Sequence, residues 1–182
     1  MVYALVFLLR LFGSLLVLKR PFWGMVLIIA LDAVDFNIIG ILNNLRSGDF
    51  EVNYPLYAQA DKILDLYGAA LAIWAGRLWS EKIAVRTLTV LFAVRAVGVG
   101  LFLFFNARIF LLFFPNLFEF FFLFYAYMMH YRPEFKIGTW PRLAAILFLL
   151  AIPKLGQELF LHYWHAEPLI RLKQYWHLPL GT

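Results

Sequence analysis

Six apolar runs, each close to the length of a bilayer crossing, constrain this chain more than any other feature. A helix spanning the ~30 Å hydrocarbon core needs about 20 residues. The runs fall at roughly 2–18, 22–43, 57–76, 83–105, 109–130 and 142–164. Each is continuous rather than alternating, so it reads as a helix and not as a β-barrel strand. The breaks carry turn chemistry: Lys19-Arg20-Pro21, Asn43-Asn44 to Pro55, Gly76-Arg77 to Glu81-Lys82, Asn106-Ala107-Arg108, and Arg132-Pro133 to Pro141-Arg142. This predicts an all-α, polytopic integral membrane helix bundle of about six transmembrane helices. A single domain covers 1–165, and an interfacial tail with Trp176 and two prolines covers 166–182.

Composition agrees. The chain is 64% hydrophobic, against about 45–50% for an average soluble domain. It has no cysteine, which excludes disulfides, iron–sulfur clusters and covalent haem attachment. A b-type haem needs two facing axial ligands, and only His162 is placed for one, so no haem is expected. The net charge is +5, but the basic residues gather at helix ends, where lipid head groups account for them. Membrane lipids are therefore the expected partners and nucleic acid is not; other membrane subunits or a homodimer are open. The N-terminal run lacks a basic leader, carries Arg10 inside it and has no A-x-A-like cleavage site, so it reads as a retained first helix.

The loops after helices one, three and five hold Lys19, Arg20, Arg77, Lys82, Arg132, Lys136 and Arg142, while the opposite side holds Arg46, Arg108, Arg171 and Lys173. The positive-inside rule then places loops one, three and five in the cytoplasm. Between Phe102 and Phe124 lie 11 of the 20 phenylalanines. They read as a lipid-facing or helix-packing surface, with a groove for acyl chains or a partner helix as the alternative.

The runs are not uniformly apolar. Asp32 and Asp35 stand in the middle of the second, and Asp61 and Asp65 stand in the third. A carboxylate at the bilayer centre costs about 2.5–3.5 kcal/mol on insertion scales. Spacings of three and four put each pair on one helix face. Convergence requires the third helix to begin below the membrane surface, because Asp61 lies near its start. Four converging carboxylates repel one another unless cations neutralise them. Three outcomes follow: pairing with Arg95, Arg86 or Lys62, a divalent-metal or substrate site, or proton carriage. Oxygen ligands of this kind suit Mg²⁺, Mn²⁺ or Ca²⁺.

Further along, Arg95 is expected to pair with Glu119 or Asp35 beside the small residues Ala96 and Gly100. Pro115 and Asn116 mark a kink one turn before Glu119. Lys154, Glu158 and His162 repeat every four residues, and Lys154–Glu158 reads as a local ion pair. These four charges, Arg95, Glu119, Lys154 and Glu158, are candidates for buried pairs or substrate binding.

Within residues 22–76 the pattern resembles the CDP-alcohol phosphatidyltransferases, whose motif is D-x2-D-G-x2-A-R-x8-G-x3-D-x3-D. Asp32-Ala33-Val34-Asp35 matches the first pair, and Asp61-Lys62-Ile63-Leu64-Asp65 matches the last. The resemblance implies two divalent metals, Mg²⁺ or Mn²⁺, and transfer of a phosphatidyl-like group from a CDP-linked donor. It implies Asp32, Asp35 and Asp61 as metal ligands and Asp65 as the base for the acceptor hydroxyl. The sequence departs from the motif in three ways. Phe36 replaces the glycine, Ile39-Gly40 replaces Ala-Arg, and eight more residues than the motif holds separate Asp35 from Asp61.

Three functions are consistent with these residues. One is a divergent metal-dependent phosphotransferase-like enzyme acting on a lipid-linked or CDP-linked substrate. The second is a non-catalytic subunit of a membrane complex whose buried ion pairs specify packing. The third is a small proton-coupled transporter.

Overall fold

The computed structural model describes residues 2–47, 54–107 and 109–162. The tail at 166–182 lies outside them. All regular structure among the described residues is helical. The order is α1 (Val2–Ser14), α2 (Leu16–Lys19), α3 (Pro21–Ser47), α4 (Tyr54–Gly76), α5 (Lys82–Phe105), α6 (Ile109–Phe113), α7 (Leu117–Tyr131) and α8 (Trp140–His162). Among the described residues, three stretches are long and apolar enough to cross a membrane: Val2–Lys19, Pro21–Leu45 and Lys82–Phe105. α4 and α8 each run 23 residues, but α4 carries Asp61, Lys62 and Asp65 close together.

The buried faces follow helical spacing. α1 buries Val2, Val6, Arg10 and Ser14, one residue every four. α3 buries Met25, Ile28, Asp35 and Ile39. α4 buries Tyr57, Asp61, Asp65, Ala69 and Ala72. Side chains three and four apart share one face of a helix, so each stripe places its charged members among its apolar ones.

The fifth apolar run is more broken than a kink. It divides into α6 and α7, because Pro115 has no N–H to continue the ladder. The link before it turns at Asn106, in the left-handed region at φ 51°, a conformation that asparagine tolerates better than most residues. The phenylalanines of this stretch divide by face. Phe118, Phe121 and Phe122 are fully buried at the centre of the main core, whereas Phe104 and Phe113 are exposed.

Two glycines permit the closest approaches. A Cβ on Gly24 would lie 2.3 Å from the backbone of Val17, so α2 and α3 fold back on each other only with hydrogen at that position. A Cβ on Gly98 would lie 2.3 Å from Cβ of Phe114, which seats the α6–α7 break against α5.

Glu81 ties two loops together outside the apolar helices. Its carboxylate accepts hydrogen bonds from the Tyr125 hydroxyl (2.9 Å), the Ile137 N–H (2.9 Å) and the Gly138 N–H (2.7 Å). Partial burial pushes the Glu81 carboxyl up, but the hydrogen bonds from Gly138, Ile137 and Tyr125 outweigh it and hold the group below its ordinary value. A depressed folded value contributes stability above the unfolded value, about 4.5, and that stability is lost as pH falls through the folded one. Glu81→Gln is therefore expected to lower the unfolding midpoint at pH 7. Melting curves in detergent across pH 3–7 should show wild type and variant converging below about pH 4.5.

Candidate functional site: a guanidinium among four aspartates

Arg10 lies midway along the Val2–Lys19 stretch, is 4% exposed and points into the bundle. Its guanidinium meets all four aspartates singled out from the sequence. Nη1 donates to Oδ2 of Asp35, and to Oδ1 of Asp61 at 2.5 Å. Nη2 donates to Oδ1 of Asp32 at 2.8 Å and to Oδ1 of Asp65 at 2.9 Å. Arginine is suited to this place because its planar fork carries five N–H donors and keeps its charge.

The remaining oxygens are largely taken. Lys62 Nζ bridges Oδ2 of Asp61 (2.7 Å) and Oδ2 of Asp65 (2.9 Å). The Tyr57 hydroxyl donates to Oδ1 of Asp35 at 2.5 Å. Arg95 Nη2 approaches Oδ2 of Asp65 at 3.6 Å. Both oxygens of Asp35, Asp61 and Asp65 thus face a donor, and Asp32 meets the guanidinium through one. The Asp32 side chain is 39% exposed, while those of Asp35, Asp61 and Asp65 are 1%, 9% and 6% exposed.

Four carboxylates and three cations leave one negative charge in excess when all are ionised. The centre forms a polar layer between two apolar clusters. On one side are Val2, Val6, Ile39 and Tyr57; on the other are Met25, Ile28, Ala69 and Ala72. Charges that exclude water in this way interact far more strongly than at a surface. At Gly68 the helices stand at ordinary van der Waals separation. A Cβ on Gly68 would stand 3.4 Å from Ile28 and 3.7 Å from the Ser14 hydroxyl, and that hydroxyl donates to the Arg10 carbonyl at 2.7 Å.

The structure therefore brings Asp32, Asp35, Asp61 and Asp65 together: each pair shares a helix face as its spacing predicts, and the two pairs, whose meeting the spacing left open, converge on Arg10. Lys62 is a partner, as expected. Arg86 is exposed and takes no part. Sequence reasoning missed Arg10, although an arginine inside the first apolar run was the available signal. Arg95 is a partner of these acids, as expected, and lies within electrostatic reach of Glu119, one of the two partners expected for it. It turns to Asp65 rather than Asp35, and its Nη1 donates to the Phe114 carbonyl at 3.2 Å. That carbonyl lies in the break between α6 and α7.

A second polar group adjoins the first. Glu119 accepts a hydrogen bond from the Asn116 side chain and lies within electrostatic reach of Asp65, Lys154 and Arg95. Arg95 Nε and Asn116 Oδ1 are buried with no hydrogen-bond partner. Lys154 is buried, with Nζ 5.5 Å from the centre of the Phe120 ring. The expected Lys154–Glu158 pair falls on a Glu158 side chain outside the described residues, as does that of His162.

Carboxylate oxygens of Asp32, Asp61 and Asp65 lie within 4.8 Å of one another, a spacing at which a divalent cation can be held. The donor chemistry suits Mg²⁺ or Mn²⁺, but all three bind the guanidinium, and Asp61 and Asp65 also bind the ammonium of Lys62. No protein family, curated protein or solved structure matches the chain. Among the described residues, fold and site together define a helical protein with three stretches long and apolar enough to cross a membrane and a buried carboxylate group.

Proposed function

We propose that this is a multi-pass membrane protein of about six spans in which the buried aspartates form an ion-pair lock and carry out no catalysis. The observation that supports this reading is Arg10, whose one guanidinium reaches the aspartates of both α3 and α4. A cation from the chain itself supplies the neutralisation that four converging carboxylates demand. The lock sets the register of α1, α3 and α4, and through Arg95 that of α5. Such a bundle serves as a scaffold for lipid or for other membrane subunits, and its exposed apolar residues, among them Leu5, Phe12, Val90 and Phe148, suit both.

A second reading is favoured by the spacing of Asp32, Asp61 and Asp65. A divalent metal would be held by Asp32, Asp35 and Asp61, with Asp65 close beside them as base, in a phosphotransferase-like reaction on a lipid-linked or CDP-linked substrate. It requires Arg10 to leave the carboxylates.

Thermal unfolding of the detergent-solubilised full chain separates the two. The midpoint is measured with chelator, with Mg²⁺ or Mn²⁺, and with metal plus CMP. A ligand that binds only the folded state raises stability by mass action. The lock reading expects the same midpoint in all conditions. A rise with metal, increased by CMP and absent in Asp61→Asn, overturns it in favour of the enzyme.

A further inference from the structure

At the end of the bundle away from the N-terminus of α1, a cavity of about 450 Å³ opens where α2, α3 and α7 meet. Lys19, Arg20 and His130 line it, with Trp23 and Trp79 beside them, and no carboxylate is among the lining residues. We propose that this cavity binds a phosphate-bearing headgroup, that of an anionic membrane lipid. The inference rests on the chain lying in a membrane and is independent of what the aspartates do.

The chemistry is convergent. Lys19 and Arg20 are adjacent at the turn and both exposed, so their charges are available to a ligand rather than spent within the protein. Glu81, two residues after Trp79, is already held by Tyr125, Ile137 and Gly138. The first turn of α3, at Phe22 and Trp23, opens on the same space, and a helix N-terminus favours an anion. The Phe22 ring stacks on His130, with centroids 5.8 Å apart and planes at 17°, which holds the imidazole at the cavity wall.

The walls suit a lipid better than a soluble ion. Trp23 is 46% exposed and Trp79 partly buried, and tryptophan prefers the headgroup level of a bilayer. The cavity sits where the apolar stretches Val2–Lys19 and Pro21–Leu45 meet, so acyl chains would continue down lipid-facing residues such as Leu16 and Leu18, both exposed. Basic residues beside a bilayer surface each contribute roughly fivefold to the affinity for anionic lipid.

The test is a tryptophan-fluorescence titration of the full chain in neutral detergent. Ligands are monomeric short-chain phosphatidylglycerol, the matching phosphatidylcholine, and inorganic phosphate. Saturable phosphatidylglycerol binding is expected, weakened about 25-fold in Lys19→Gln/Arg20→Gln and unchanged in Arg86→Gln. Tighter binding of the lipid than of phosphate assigns the source to the membrane, whereas equal binding assigns it to soluble phosphate and overturns the lipid. Phosphatidylcholine binding as tightly as phosphatidylglycerol, or an equal loss in Arg86→Gln, overturns the site. Should the double variant not fold, acylation of wild-type Lys19, followed by mass spectrometry, decides. Phosphatidylglycerol should slow labelling of Lys19 and leave Lys82 unaffected; equal labelling of both overturns the proposal.

Discussion

Arg10→Met is expected to cost about 3–5 kcal/mol or to prevent folding altogether. Methionine fills much of the same volume, so the loss is electrostatic rather than a cavity. Without the guanidinium, Asp35 retains only the Tyr57 hydroxyl, Asp61 retains only Lys62, and Asp32 loses its one bonded partner. Removing one partner of a buried ion pair is far worse than never having built it, because the other charge stays behind in a low-dielectric interior. Arg10→Lys should fall between the two, since a lysine ammonium is a point charge with three donors and cannot span four carboxylates. Denaturant titration of the detergent-solubilised protein, followed by circular dichroism, measures the midpoints. A second variant guards against simple misfolding: Asp35→Asn placed on Arg10→Met removes the most deeply buried orphaned charge and should recover part of the loss. An Arg10→Met midpoint equal to wild type would sink the lock.

Much of this centre was legible from spacing. Pairs three and four apart declare a shared helix face, which joined Asp32 to Asp35 and Asp61 to Asp65; that the two pairs meet depended on the depth at which α4 begins and on how it packs against α3. The identity of the neutralising cation was not legible in the same way. Arg10 stands alone in its run, with no second charge at helical spacing to mark its face, so its direction is settled only by how α1 packs on α3 and α4. Which of the acids Arg95 meets was not legible for a related reason. A lone arginine beside glycines predicts close packing, but whether Asp35, Glu119 or Asp65 is nearest depends on helix rotation. That rotation is set here by Phe114 seated against Gly98 and by the α6–α7 break. The sequence around Glu81 marks it as no more than a loop residue. Its partners, Ile137 and Gly138, lie 56 and 57 residues away, and no local pattern predicts backbone donors at that separation.

The four aspartates should not be equivalent, and their ranking distinguishes a lock from a metal centre. Asp65→Asn is expected to cost about 3–5 kcal/mol, because Asp65 faces Arg10, Lys62 and Arg95 from one 6%-exposed side chain. Its neutralisation leaves Lys62 with Asp61 as its other carboxylate and deprives Arg95 of its ion pair. Asp32→Asn should cost less than about 1 kcal/mol, since its side chain is 39% exposed and makes one contact with the guanidinium. The asparagine carbonyl can still accept that hydrogen bond. A metal site predicts a different pattern. Asp32 is one of the three carboxylates gathered within 4.8 Å, so Asp32→Asn would remove a ligand and abolish any metal-dependent rise in the midpoint while leaving the metal-free protein as stable as before. Unfolding midpoints of both variants, each with chelator and with Mn²⁺, therefore read two quantities at once. A large loss at Asp65, a small one at Asp32 and no response to metal in either fit carboxylates that hold helices together. Equal losses at the two positions would mean that burial and partner number do not govern this centre, and the lock would fail on that ground alone.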